Sequence, residues 1–314
     1  MLGVTAAISV LTAILSALTL LPAGHILGSA MALVQWSGGT LLYTGDFRLR
    51  PSPACEACDF KGAHGCDWLV METTFGRPEY VFPPTEHVAA ELLAFCRAAL
   101  ADGKTPVLLG WTLGKAQELL CHLADSGLRV FVHESIQPLA RVYRHQSVRM
   151  AAFETLRPKR LRTEPGSAGC VLICPPNFRK SPERGALGPC RFALATGWAM
   201  DSSCKYRSGV DAPFPLSDHA DFHELIDFVR QVRPRRVFTT HGFAADFAAT
   251  LRDLGFDPEP TTLQAARTSW RTRSSPASCG VPLRCPCSRR SSTRSGDRCS
   301  ITSGNGWHGS SRCA

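Results

Sequence analysis

Four short segments of this 314-residue chain set a histidine or carboxylate at a sharp turn: Ala23-Gly24-His25, Thr44-Gly45-Asp46, Met71-Glu72-Thr73-Thr74, and the pair Ser217-Asp218-His219-Ala220-Asp221 with Thr240-His241-Gly242. Neutral imidazoles and carboxylates are the donors that suit divalent zinc. A glycine beside the donor lets the backbone turn and aim the side chain into a shared cleft. Such a cluster suits hydrolysis by metal-activated water, since zinc lowers the pKa of bound water toward ~7 and two metals can clamp the oxygens of a phosphodiester. A single histidine near glycine is more often structural. The case rests on the order of the four segments and on what precedes each of them.

Each segment follows an apolar run short enough to be a strand. Met31–Trp36 and Thr40–Thr44 are two such runs split by Ser37-Gly38-Gly39, a hairpin turn. Asp67–Glu72 reads as a buried strand ending in an acid. A helix over His87–Ala101, a strand over Pro106–Gly110, a helix over Lys115–Ala124 and a strand over Val130–His133 make a βαβ unit, whose parallel strands require cover on both faces. Further strands are expected at Cys170–Cys174, Phe192–Thr196 and Arg236–Thr240, the last leading into His241, with a helix over Leu225–Val232. This alternation predicts an α/β fold of layered sheets.

The formal charge of +9 suggests a phosphate-rich partner until its position is considered. Residues 265–314 hold nine Arg and one acid, a net +8, so residues 1–264 carry only 9 − 8 = +1. Any electrostatic track for nucleic acid on the body is therefore a local patch. The same terminal segment holds five of the 14 cysteines and has no apolar periodicity, and it reads as a disordered Arg/Ser/Cys-rich tail. The other nine cysteines are scattered, which predicts reduced thiols and a cytoplasmic setting. Residues 1–22 carry no charge and are long enough to cross a ~30 Å hydrocarbon layer, but they lack a basic flank and run straight into Gly24-His25. The reading is a buried strand, with a membrane helix or signal peptide as the alternative. No membrane partner is expected.

Pro22-Ala23-Gly24-His25-Ile26-Leu27-Gly28-Ser29-Ala30, then YTGDFR at 43–48, ETTFG at 72–76, SDHAD at 217–221 and THGF at 240–243 resemble, in this order, the later motifs of the β-CASP nuclease branch of the metallo-β-lactamase superfamily. GWTLGKAQELL at 110–120 and ATGWAMD at 195–201 are similar to its ligase-associated bacterial exonucleases and mRNA 3′-end processing factor-like members. The resemblance covers about residues 20–263. It implies an αββα sandwich, present in part, with an inserted β-CASP α/β cap: core over 1–76, cap over 77–195, core with an RNA-specificity-type motif over 196–264, tail over 265–314. It also implies a zinc-dependent nuclease acting on DNA or RNA, with an ATP-dependent DNA ligase or helicase as a partner by family context.

By the same resemblance, His25 is a ligand of one zinc, Asp46 the bridging carboxylate, and His241 a ligand of the second zinc. Glu72 orients a metal-bound group, and His219 protonates the leaving oxygen, a general-acid task suited to a pKa near 6.5. The family's His-x-His-x-Asp-His run occurs nowhere in the sequence. The expectation is an amino-terminally truncated, impaired enzyme, because metal affinity falls steeply when ligands are missing. The alternatives are a small-molecule metallo-hydrolase of the same superfamily, disfavoured by the cap, and a non-catalytic nucleic-acid-binding remnant.

Three weaker signals complete the reading. Gly114 and Lys115 open a helix and are candidates to receive a substrate phosphate. Ser29 lies beside the His25 turn, where it is a candidate substrate contact but more simply a support of the turn. Cys55, Cys58, His64 and Cys66 have zinc-ligand types and read as ordinary loop residues.

Overall fold

The apolar runs assemble into two six-stranded sheets, seen in a computed structural model that describes residues 15–157 and 169–261. The tail over 265–314 and the start of the 1–22 run lie outside the described residues. In chain order the strands are β1 (Leu15–Pro22), β2 (Ala30–Trp36), β3 (Gly39–Tyr43), β4 (Trp68–Glu72), β5 (Thr105–Leu109), β6 (Arg129–Val132), β7 (Phe153–Thr155), β8 (Cys170–Cys174), β9 (Cys190–Ala195), β10 (Ala212–Phe214), β11 (Arg236–Thr240) and β12 (Pro258–Pro260). The helices are α1 (Thr85–Ala101), α2 (Lys115–His122), α3 (Gln137–His145), α4 (Cys204–Ser208), α5 (Phe222–Val232) and α6 (Ala244–Asp253). This is the α/β architecture that the alternation of strands and helices predicts.

The first sheet has the order β1-β2-β3-β4-β11-β12, antiparallel from β1 to β3 and parallel from β3 to β12. One face packs Met31, Leu33, Leu42, Leu69, Met71 and Val237 against α5 and α6, whose Leu225, Phe228, Val229, Phe247 and Leu251 are buried. On the other face Trp36 stacks on Trp68 with ring centroids 5.2 Å apart. β1 is the sheet's outer strand. The expectation of a buried strand is corrected for the described residues 15–22: Leu18 and Leu20 are 56% and 67% exposed. No described helix is long and apolar enough to cross a membrane. β12 holds two prolines, which an edge position tolerates because one side of the strand needs no ladder donors.

The second sheet, β10-β9-β5-β8-β6-β7, is parallel at every pairing. Such a sheet must be covered on both faces. Leu108, Val171, Ile173 and Ala193 face the helices α1 to α3, and Val107, Leu109, Leu172 and Phe192 form a second core with Phe178 and Val210. Because β10 pairs with β9, this sheet runs on to Phe214.

Candidate active site

Topology brings the chemical segments to one edge. β3, β4 and β11 run parallel, and β1, two antiparallel steps from β3, points the same way. His25, Asp46, Glu72 and His241 therefore leave the same side of the first sheet. The turn at His25 depends on Gly24, whose φ is +72° and whose hypothetical Cβ would lie 2.4 Å from the Arg48 carbonyl oxygen. No other residue fits that approach.

The loop between β10 and α5 delivers Asp218 and His219 to the same place. His219 Nδ1 lies 2.9 Å from Glu72 Oε1, and the His25 and His219 rings approach edge to face at 4.7 Å. Burial alone would push the His219 imidazole down, but the hydrogen bond and charge of Glu72, with smaller help from Asp218 and Asp46, raise it to about 9. Glu72 thus favours the protonated imidazole, above the ordinary 6.5. Burial opposes ionisation of Glu72, yet His219 and then Thr74 hold its carboxyl below the ordinary range. Backbone amides of Phe47 and Thr74 also donate to it, at 3.2 and 2.9 Å, so this carboxylate is fixed from three directions.

His25 Nδ1 lies 2.8 Å from the Asp218 carbonyl oxygen and must be the donor there. That bond leaves Nε2 with its lone pair, 3.9 Å from Asp46 Oδ2. A metal-binding histidine is oriented in this way, with one nitrogen tied to a carbonyl and the other free. Two donors each about 2.1 Å from one ion stand roughly 3.4 Å apart in tetrahedral geometry, so His25 and Asp46 suit a shared zinc. Two groupings of donors lie close enough to hold an ion, His25-Asp218-His219 and Asp46-Glu72-His219.

The loop that carries Asp218 is held by buried charge. Arg48 Nη1 donates to Glu118 Oε1 at 2.8 Å and to the Ser217 carbonyl at 2.6 Å, and Lys115 Nζ lies 2.6 Å from Glu118 Oε2 and 3.8 Å from Asp218 Oδ1. Burial is the largest influence on the Glu118 and Asp218 carboxylates and disfavours their charge, but the cations together outweigh it, Lys115 and Arg48 at Glu118 and Lys115, His219 and His25 at Asp218, and both are held below their ordinary values.

The other expected residues are placed differently. His241 follows β11 with a positive φ and is exposed, and it belongs to neither donor grouping. Lys115 is 1% exposed with its ammonium committed to Glu118, and the Gly114 amide donates to Gln117 Oε1 at 2.7 Å. Neither is free for a phosphate. Gly114 serves close packing instead, since a Cβ there would meet Ile26 Cγ2 at 2.3 Å. Ser29 Oγ accepts from the Ile26 amide at 3.2 Å, so it supports the His25 turn. The loop residues go separate ways: Cys55 Sγ donates to the Gly24 carbonyl, His64 Nδ1 pairs with that of Gln231, and Cys66 is buried. The sequence reading assigned no role to Asp218, Arg48 or Glu118. Arg48 and Glu118 lie inside YTGDFR and GKAQELL, two of the motifs that carry the family resemblance.

Residues 212–259 match the family described as the Zn-dependent metallo-hydrolase RNA specificity domain, which takes in β10, α5, β11 and α6. Over 240 residues the chain is 48% identical to a probable DNA ligase of Opitutus terrae, covering 76% of this chain and 23% of that protein. It is 30% identical over 220 residues to the 5′ exonuclease Apollo of Gallus gallus, covering 69% of this chain and 43% of the relative. Over 110 residues it is 37% identical to the transcription termination factor FttA of Methanothermobacter thermautotrophicus, covering 34% and 17% of the two chains. The chain thus spans less than half the length of each of these relatives. With the ordered motifs, the α/β fold and these similarities together, the chain belongs to the β-CASP nuclease branch of the metallo-β-lactamase superfamily.

Proposed function

We propose that this chain is a metal-dependent phosphodiester hydrolase acting on DNA or RNA. The observation that carries the reading is the meeting of His25, Asp46, Glu72, Asp218 and His219 at one cleft of about 320 Å³ or at its edge, although they come from four separate segments. His25 Nε2 and Asp46 would hold zinc, which when bound supplies Lewis-acid polarisation of a phosphoryl oxygen. Glu72 keeps the His219 imidazole protonated and oriented, so that its other nitrogen can give a proton to the leaving oxygen. Phe75, with its ring 6.0 Å from that of His219, limits water on one side.

His241 lies outside the donor groupings and the His-x-His-x-Asp-His run is absent, so the donors of this chain suit one zinc better than two. Its cleavage is expected to be slow. The similarity to a protein named as a DNA ligase supports a ligase as functional partner. Unpaired cysteines such as Cys58, Cys96 and Cys121, which burial pushes up to about 12, support a reducing, cytoplasmic setting.

The test is zinc binding by equilibrium dialysis together with single-turnover cleavage of a labelled oligonucleotide at excess protein. His25→Ala and Asp46→Asn are expected to lower zinc affinity at least ~10-fold, in line with the loss of a ligand, and His219→Ala to abolish a chelator-sensitive cleavage. Zinc binding indifferent to both ligand changes refutes the site.

A further inference from the structure

The first sheet also carries a basic pocket, at the end away from the donors. β4 and β11 are adjacent and parallel, in register from Trp68 with Arg236 to Glu72 with Thr240. Glu72 ends β4 at the catalytic edge. The segments that enter the two strands, residues 60–66 and 230–235, meet at the opposite end, about 13 Å away at ~3.3 Å per residue. There Phe60, Lys61, His64, Arg230, Gln231 and Arg233 line a pocket of about 490 Å³. Four of these six side chains can carry positive charge and none is acidic.

The two segments are tied to each other before any ligand arrives. The Gly65 amide donates to the Val232 carbonyl at 2.6 Å, the Arg235 amide to that of Cys66 at 3.0 Å, and His64 Nδ1 to that of Gln231 at 2.9 Å. Ala63 and Cys66 are buried and anchor the first segment to the core. Because Nδ1 is the donor to a carbonyl, Nε2 is the ring position of His64 left for a further partner. Arg230 is answered in part by Asp227 at 3.5 Å, a pair exposed on both sides and therefore weak. Lys61 and Arg233 form no ion pair among the described residues. Asp59, the acid closest to Lys61 in sequence, accepts from the Lys61 backbone amide at 3.1 Å.

Arg233 is the least expected member of the group. It follows α5 with φ +51° and ψ +54°, the left-handed cap that glycine adopts at least cost. An L-residue there brings its Cβ too close to a carbonyl oxygen. A basic residue near a helix C-terminus complements the helix dipole, which accounts for Arg230 in the last turn but not for a strained backbone at position 233. Strain of this kind gathers where a ligand or a switch requires a particular side chain. We infer that the pocket binds a polyphosphate anion, with Lys61, Arg230 and Arg233 as its charged contacts and His64 Nε2 as a further donor. Guanidinium forks match phosphoryl oxygens in pairs. Two forks and an ammonium around one pocket call for several oxygens close together, which adjacent phosphates supply and the spaced carboxylates of a peptide do not. The site stands apart from the metal donors and does not depend on the nuclease reading.

The experiment is isothermal titration calorimetry of the full chain in chelator with inorganic pyrophosphate, repeated with ADP and with hexaglutamate. Pyrophosphate is expected to bind, and to bind more weakly as salt rises, because the cations are exposed and screened. Arg233→Gly keeps the left-handed cap and should hold or raise the urea midpoint, yet weaken pyrophosphate roughly 10-fold, the loss of one charge-assisted bond. Lys61→Ala, in an exposed turn, should weaken it by a similar factor without touching the strained position. His219→Ala should leave pyrophosphate affinity unchanged, since that imidazole stands at the other end of the sheet. ADP binding more tightly than pyrophosphate sustains the site and identifies a nucleotide as the source of the phosphates, whereas ADP binding no more tightly sustains it and identifies free polyphosphate. Hexaglutamate binding as tightly as pyrophosphate overturns the phosphate assignment. A pyrophosphate Kd weaker than about 1 mM, affinity indifferent to both Arg233→Gly and Lys61→Ala, or affinity lost with His219→Ala overturns the site itself.

Discussion

Replacing Glu72 by glutamine isolates the contact on which the proton chemistry depends. The amide keeps the size of the carboxyl and an oxygen for one of the Phe47 and Thr74 amides, which donate to different carboxylate oxygens, and it removes the charge 2.9 Å from His219. In the parent, His219 stands at about 9 against an ordinary 6.5, and at ~1.36 kcal/mol per pH unit the gap is worth roughly 3 kcal/mol. The folded value is the higher one, so this contribution is fully present below pH 6.5 and is lost as pH rises through about 9. Glu72, held below its ordinary 4.5, gives the complementary loss on acidification; both are aspects of one contact and count once. Without the carboxylate, burial is left to act on the imidazole and its pKa should fall below 6.5. The measurement is an NMR titration of the His219 ring in chelator, with urea unfolding at pH 6 and pH 9.5. The parent should titrate near 9 and lose roughly 3 kcal/mol between the two pH values, while Glu72→Gln should titrate below 6.5 and lose little. If His219 titrates near 6.5 in both proteins, the Glu72 contact does not control the proton and the general-acid assignment fails.

Three further outcomes follow from packing and charge, all read by urea unfolding. Glu118→Ala leaves Arg48 and Lys115 buried without their carboxylate and should cost about 3–5 kcal/mol, whereas Arg149→Ala breaks a pair whose side chains are 80% and 74% exposed and should cost under ~1 kcal/mol; equal costs would contradict the buried network. Gly114→Ala forces an L-residue to φ +80° against Ile26 and should cost more than the ~1–2 kcal/mol of a left-handed residue alone, and a neutral result would refute the close approach. Leu20→Glu on the exposed side of β1 should stay within ~0.5 kcal/mol of the parent, and a loss of several kcal/mol would show that this strand is buried after all.

The strands that carry the site were legible because each is an apolar run closed by glycine or an acid, and a run of that kind has few other uses. β4 ends at Glu72 and β11 ends just before His241, as the pattern required. The elements that escaped are those whose signal is tertiary. β12 is Pro-Glu-Pro, which no local propensity marks as a strand and which only an edge position permits. β10 is three residues, Ala212–Phe214, and its membership of the second sheet depends on the register it finds against β9. Lys115 illustrates a different limit. A lysine opening a helix reads as an anion site until the structure supplies Glu118 and Asp218, two carboxylates that answer its charge from inside the protein. The cluster of His and carboxylate side chains is read from residue types, but the hydrogen bond that orients His25 depends on a carbonyl 193 positions away.

That carbonyl links His25 to the second sheet. Asp218 O fixes His25, and the preceding residue, Ser217, is held through its own carbonyl by Arg48, whose guanidinium is anchored on Glu118 of α2. A shift of α2 against the first sheet would have to break a charge-assisted bond inside the protein, where an unpaired ion costs several kcal/mol. The second sheet therefore cannot change its distance from the first without disturbing the histidine that faces Asp46. Two apolar layers sliding on each other would give no such coupling, because dispersion contacts are exchanged for others of similar depth. Buried ions are a poor source of net stability; here they tie the second sheet to the loop whose carbonyl orients His25.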